Sequence, residues 1–235
     1  MLRATGFVLK KTTIGDFDVG YCFFTKKYGK INLTARSVKK PLSKLAGQLE
    51  PPSLVNFIFS PAGNGGILTT ALAKKSFLKI RRDFDKLNVY LEWCSMIYDF
   101  TFEKQKDDKI WHLFKSHVQM LCQKNSFITN ILFFNAFLNT LGFNLISDRC
   151  VNCQKLFATK TSVSYDFARG GFVCNECLGK KSNIISRELF EIIQMLHADT
   201  KDLLGDEYFI SIALKNYSSL IIFWQRYLKY IKNFY

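Results

Sequence analysis

The 235-residue sequence lacks most of the features by which enzymes and membrane proteins announce themselves. It contains no Gly-x-x-x-x-Gly-Lys-Ser/Thr loop to cradle a nucleotide phosphate and no Gly-x-Ser-x-Gly nucleophile elbow; Gly179-Lys180-Lys181-Ser182 does not fit the first pattern. Histidine is scarce. His112 and His117 fall on one expected helix and His197 near the end of another, as surface or boundary residues rather than bases. The paired carboxylates Asp107-Asp108 lie where one helix should end and the next begin, so capping accounts for them. Long apolar runs are absent as well. The most apolar stretch, Phe127 to Leu138, is interrupted by Thr129, Asn130 and Asn135 and is too short to cross a bilayer. Met1-Leu2-Arg3-Ala4-Thr5-Gly6 lacks the charged-then-apolar design of a secretory leader. There is no internal repeat and no low-complexity linker. These absences predict a non-enzymatic protein of the reduced cytoplasm with no membrane partner.

Acidic residues are also scarce, but only at one end. Residues 1–82 carry 15 Lys and Arg against 3 Asp and Glu, a net +12, whereas residues 83–235 carry 18 against 16, a net +2. A basic module joined to a nearly neutral one implies a polyanion on the first, and nucleic acid is the expected one. A membrane surface fits less well, because the charges fall among strands and turns rather than along an amphipathic helix.

What the sequence does have is Cys150-Val-Asn-Cys153 and, twenty residues later, Cys174-Asn-Glu-Cys177. Two such pairs are the sequence form of a four-thiolate zinc site. Zn²⁺ takes four tetrahedral ligands at about 2.3 Å for sulfur. Two intervening residues let one tight turn aim both sulfurs at a point, and a hairpin returns the second pair to face the first. Gly170-Gly171 precedes the second pair, where that hairpin needs backbone freedom. Two disulfides would use the same four residues but suit a secreted chain. Four thiolates close the coordination sphere, so the expected Zn²⁺, one per chain, is structural rather than catalytic. A deaminase would need His-x-Glu and Pro-Cys-x-x-Cys, and neither is present. Cys22, Cys94 and Cys122 sit among apolar residues and read as buried thiols.

Hydrophobic periodicity divides the chain in two. Alternation at residues 6–10, 19–25, 30–35, 54–59 and 67–72 predicts five short strands, with a turn at Thr13–Asp16, a hairpin at Lys26–Gly29 and a long basic connection from Arg36 to Gly47. That spacing matches a small Greek-key barrel of the OB type, with an SH3-like barrel nearly as good a match. Beyond Arg82 the period becomes helical. One stripe holds Leu87, Tyr90, Leu91, Cys94, Ile97, Tyr98 and Phe102; a second holds Trp111, Phe114, Val118 and Leu121. Ser126 is placed to cap a third helix that stops at Gly142, and Ser186 to open one reaching Leu196. Ile210, Leu214, Tyr217, Ile221, Trp224, Leu228 and Ile231 form the seam of a last helix. The expected architecture is α+β and multidomain: residues 1–76 an OB-fold nucleic-acid-binding domain, residues 77–235 an all-α domain carrying the zinc segment 148–180.

The expected binding residues follow from the basic barrel. Lys26, Lys27 and Lys30 cluster at the hairpin, and Arg36, Lys39, Lys40 and Lys44 line the following connection. Phe23, Phe24 and Tyr28 are interleaved, and a charged groove with stacking platforms is how barrels hold single strands. The lysines are expected on phosphates and Tyr28 under a base; Phe23 and Phe24 point to opposite strand faces, so at least one belongs to the core.

Several of these stretches, taken together, resemble RecO, the bacterial recombination mediator of the RecFOR pathway. The resemblance runs through Gly6-Phe-Val-Leu-Lys10, Phe24-Thr-Lys-Lys-Tyr-Gly-Lys-Ile31, the basic Ala35 to Ser43 segment and Leu49-Glu-Pro51. It continues in Leu138-Asn-Thr-Leu-Gly-Phe143, Cys150-Val-Asn-Cys153 and Gly170-Gly-Phe-Val-Cys174. Gln154 stands where glycine often follows the first cysteine pair, and the glycine expected near Ala35-Arg36 is missing, the marks of a divergent member. The resemblance implies an N-terminal OB barrel, a helical domain and a four-cysteine zinc site. It also implies binding and annealing of single- and double-stranded DNA at the nucleoid, with RecR and the C-terminal tail of single-strand-binding protein as partners. The alternative from another class is an RNA-binding barrel and zinc protein of translation or RNA processing, since phosphate attraction is common to both.

Overall fold

The structure, a computed structural model, describes residues 1–41, 43, 45–63, 65–157, 163–178, 183–198 and 203–234. The chain forms two compact units, residues 1–126 and 127–235.

In the first unit, β1 (Leu2–Ile14), β2 (Asp18–Thr25), β3 (Gly29–Ala35), β4 (Ser53–Ala62) and β5 (Gly65–Ser76) close into a barrel of order β1-β2-β3-β5-β4. Neighbours are antiparallel except β3 and β5, which meet in parallel at Thr34 and Ile67. The long connection after β3 lets β4 return to β1 first, leaving β5 to shut the barrel, which is the Greek-key arrangement expected of an OB fold. The strands outrun their alternation. β1 continues to Ile14 through exposed Lys11, Thr12 and Thr13, which pair with β2 but give no burial pattern to read.

Val8, Tyr21, Phe23, Leu33, Val55 and Phe57 fill the barrel. Phe7 and Phe24 point the other way and are just as buried. They are covered by α1 (Leu78–Arg81), α2 (Phe84–Phe100) and α3 (Asp108–Leu121): Phe7 lies 5.4 Å from Trp111 and 4.8 Å from Phe114, and Phe24 lies 5.9 Å from Trp111. Asp83 caps α2 by accepting from the Lys86 N–H, and Asp107 caps α3 by accepting from Ile110, the role expected of it. All four residues of the α3 stripe are buried. The α2 stripe is wider than its sequence suggests. Tyr90, Cys94 and Ile97 are buried, but Val89, Trp93, Met96 and Phe100 join them, whereas Leu91 and Phe102 are exposed. The helix packs on both β1 and α3, so its buried arc spans two neighbours. Burial pushes the Cys22 and Cys94 thiols up to about 12, leaving them inert.

The second unit is built around α4 (Ser126–Leu141), which ends at Gly142 with φ +82°. This helix is buried nearly all round, which explains its apolar composition. The residues that interrupt the run are engaged inside it: the Asn130 amide donates to Tyr217 Oη at 2.8 Å and that of Asn135 to the Leu196 carbonyl at 3.0 Å. A hairpin of β6 (Val163–Asp166) and β7 (Gly171–Cys174) follows, then α5 (Arg187–His197), α6 (Glu207–Lys215) and α7 (Tyr217–Lys232). Ser186 caps α5 as expected. The last seam is broken. Asn216 separates α6 from α7, with its amide donating to Glu188 and to the Ile212 carbonyl. Before the break the buried pair is Phe209 and Ala213, with Leu214 exposed; after it Ile221, Trp224, Leu228 and Ile231 keep the predicted positions. Trp224 stacks on Phe134 at 5.5 Å.

Gly29 ties the barrel to the segment before α3. Its φ is +64°, and a Cβ there would collide with the Gln105 carbonyl oxygen. Gly29→Ala is therefore expected to destabilise the protein by about 2 kcal/mol or more. Gly47→Ala, at a position open to solvent, should be close to neutral. Urea unfolding of the two variants checks both.

Candidate metal centre and nucleic-acid interface

The four cysteines of the second unit converge. Their sulfurs all lie within 4.8 Å of one another, and Cys153 Sγ is 3.7 Å from Cys174 Sγ. A tetrahedron with metal–sulfur bonds of about 2.3 Å has edges of about 3.8 Å, so this spacing fits a metal ion. None of the four is in a disulfide.

Local backbone chemistry builds the site. The first knuckle is closed by the Gln154 N–H on the Cys150 carbonyl and the Cys150 N–H on Lys155, both at 2.9 Å. Gly170, at φ +68°, turns the β6–β7 hairpin. Gly171 then passes so close to Val151 and the Ile146 carbonyl that a Cβ would strike both, at 2.5 and 2.7 Å. This close approach lets Val151 donate to the Phe172 carbonyl and brings the two knuckles face to face. Burial alone would push the Cys150 thiol up, but N–H groups of Cys153, Cys174 and Asn152 point at its sulfur and bring it down to about 6. Cys174, buried and beside the other sulfurs, is raised to about 11. Such a set could hold a metal ion, whose positive charge would relieve the crowding of four thiolates.

The segment is anchored to the helices of its own unit. Phe172 packs against Phe190 of α5 at 4.9 Å, and Phe167 against Tyr227 of α7 at 4.7 Å. Gln194 donates to the Ser147 carbonyl at 2.8 Å, and Ser147 Oγ lies 2.9 Å from His197 Nδ1.

On the barrel, the expected binding residues are split between its two ends. Lys26 and Lys27 are exposed at the β2–β3 turn, beside Arg3. Arg36, Lys39 and Lys40 are exposed beyond the far end of β3, where Lys39 Nζ reaches the Gly15 carbonyl at 3.4 Å and Lys40 Nζ lies 5.4 Å from the Phe17 ring. Arg36 borders a cleft of about 590 Å³ on the β2–β3 face, together with Lys10, Asn32 and Thr34. Lys44 lies outside the described residues.

Lys30 and the aromatics differ from expectation. Only 8% of Lys30 is exposed; its ammonium donates to the Tyr98 carbonyl at 2.5 Å and sits 4.7 Å from the Tyr98 ring centre. It joins barrel to helix and is not free for phosphate. Phe23 and Phe24 are both fully buried, one inside the barrel and one under α3, so neither is a platform. Tyr28 is half-buried, edge-on to Phe59 at 5.7 Å, with Lys27 Nζ 5.2 Å from its ring centre. Sequence reasoning missed Lys10 and Arg3, which are exposed in β1 and reach the two clefts only through strand pairing.

Comparison with known proteins agrees with this construction. The family pattern described as Recombination protein O N terminal matches residues 1–77, and that described as Recombination protein O C terminal matches residues 81–209. The chain belongs to the RecO family. Among RecO relatives, the DNA repair protein RecO of Desulfatibacillum aliphaticivorans is 28% identical over 177 residues, covering 72% of this chain and 69% of its own. That of Acetivibrio thermocellus is 24% identical over 179 residues (75% and 70%), and that of Caldicellulosiruptor saccharolyticus 27% over 199 residues (84% and 80%). Gln154 adopts φ +61°, the left-handed conformation that glycine takes freely and other residues adopt at about 1–2 kcal/mol. No helix among the described residues is long and apolar enough to cross a membrane.

Because Lys30 works inside the first unit, Lys30→Ala should lower stability by about 1–3 kcal/mol, by stripping the part-buried Tyr98 carbonyl of its donor. The same change should leave the salt dependence of polyanion binding as it was. Denaturant titration and oligonucleotide titration of the one variant separate the two effects.

Proposed function

We propose that this RecO-family chain is a non-enzymatic, DNA-binding recombination mediator of the bacterial nucleoid. In this reading it anneals complementary strands and helps load recombinase on DNA coated by single-strand-binding protein. The observation that carries the reading is the exposed basic end of the barrel, where Arg36, Lys39 and Lys40 stand free of ion pairs among the described residues. Residues 1–76 would bind single- and double-stranded DNA with little sequence preference, since cations on loops meet phosphates rather than base edges. Residues 77–235 would dock RecR and the acidic tail of single-strand-binding protein. Two bare strands repel through their phosphates; a strand held against cations presents less charge to its complement. Weak, sequence-tolerant contacts suit the task, because a tight reader would trap its strand.

Affinity for DNA should fall by about 0.7–0.9 log units per log unit of salt for each phosphate neutralised. R36A/K39A/K40A should flatten that slope in a fluorescence titration across salt concentrations. An unaltered slope would put the binding surface elsewhere. The full protein, without nucleotide, should speed annealing of complementary strands, and strands coated with single-strand-binding protein should lose this benefit when its tail is removed. Bare strands that anneal no faster with the protein than without it would end the mediator reading.

The four-cysteine cluster is proposed to hold one structural Zn²⁺. Metal analysis should return one zinc per chain. Chelation should lower the stability of the second unit, since metal binding here is in part folding energy. A zinc-free chain of unchanged stability would rule it out.

A further inference from the structure

The two basic ends of the barrel are far apart. β3 alone, Gly29–Ala35, separates the Lys26–Lys27 turn from Arg36 by roughly 20 Å at about 3.3 Å per residue. The two groups therefore do not form one groove. The Lys26–Lys27 end has a cleft of its own, of about 720 Å³, on the face made by β1, β4 and β5.

Its lining is suited to an unpaired strand. Arg3, Lys26 and Lys27 are exposed, and among the described residues none of them has an ion-pair partner. Lys106, at the edge, pairs with Asp108 at 2.6 Å. Among the described residues no acidic one lines the cleft. The floor is apolar: Ile58 is half-buried and Leu72 is 65% exposed, an aliphatic shelf on a strand that otherwise shows solvent polar groups. Thr5 and Asn56, hydrogen-bonded to each other at 2.7 Å, and Thr70 supply neutral polar groups on the walls. Cations on the rim with an apolar shelf between them match phosphates flanking an exposed base. A duplex, whose bases are stacked away, would leave the shelf unused. The volume, within the range of about 300–1,000 Å³ usual for ligand sites, exceeds what a lone phosphate needs.

We propose that this cleft is a second single-strand DNA site, separate from the Arg36–Lys40 end, so that one barrel holds two strands at once. The proposal rests on the DNA-binding reading above and adds to it the place of the second strand.

The test uses the full chain and the thymidine dinucleotide as the oligomer, which even fully extended is too short to reach both ends. At low salt the wild type should bind two oligomers per chain and bring a donor-labelled and an acceptor-labelled oligomer within energy-transfer range. R3A/K27A and, separately, L72E change exposed side chains only. Each should reduce binding to one oligomer per chain and abolish the energy transfer, with the remaining site's affinity changed less than about twofold. R36A/K39A/K40A should also leave one site, the other one. Two oligomers bound by both cleft variants, or one bound by the wild type, would overturn the second site and leave the DNA-binding reading standing. A glutamate-rich peptide that displaces oligomer from the cleft more tightly than the oligomer binds would overturn it too, making the cleft a peptide site. A wild type that binds no oligomer at all would defeat the DNA-binding reading itself.

Discussion

The first unit depends on burying both faces of β1 and β2. An OB barrel of this size can leave the outside of its strands in water, but here Phe7 and Phe24 project outward and are sealed by Trp111 and Phe114. Aromatic burial on this scale amounts to several kcal/mol at about 25 cal/mol per Å². It makes α2 and α3 part of the barrel's own unit, which runs to residue 126. The exposed basic residues on the barrel are therefore mounted on a wall that is braced from behind.

Much of this could be read from the sequence, and what could not has physical causes. Five alternating segments and one long connection point to a small barrel, though the pattern alone leaves an SH3-like barrel nearly as good as an OB fold, whereas the knuckles follow directly from cysteine spacing. The basic residues are legible in the sequence, but their grouping in space is not. Lys30 falls beside Lys26 and Lys27 in sequence, yet strand alternation turns it toward Tyr98 while its neighbours stay in the turn. A lysine that closes a barrel-to-helix contact has the same letter as one that meets solvent. Arg3 illustrates the converse: it joins Lys26 and Lys27 only because β1 pairs with β2 and β4. The break at Asn216 leaves no mark in the sequence, because the apolar spacing is continuous across it.

The cysteine segment shows how a small element can be over-determined. Its knuckles are fixed by backbone hydrogen bonds to sulfur, by the missing side chain of Gly171 and by aromatic contacts to α5 and α7. Gln154 tolerates a strained conformation because these other constraints leave the chain little choice. A residue other than glycine can thus hold a left-handed position beside the cluster and leave its geometry intact.

The contact between Ser147 and His197 carries a consequence for acid. Burial holds the His197 ring below the ordinary histidine value, and it does the same to His117 in the first unit. A histidine whose folded-state pKa is depressed binds fewer protons folded than unfolded, so stability is full above about 6.5 and drains away as pH falls toward the folded value. Burial thus disfavours the charged ring of one histidine in each unit, and in the second unit protonation of the Cys150 thiolate, held down to about 6, acts in the same direction. Mild acid would therefore work against both halves of the molecule at once, with the half that carries the cysteine cluster under a double load.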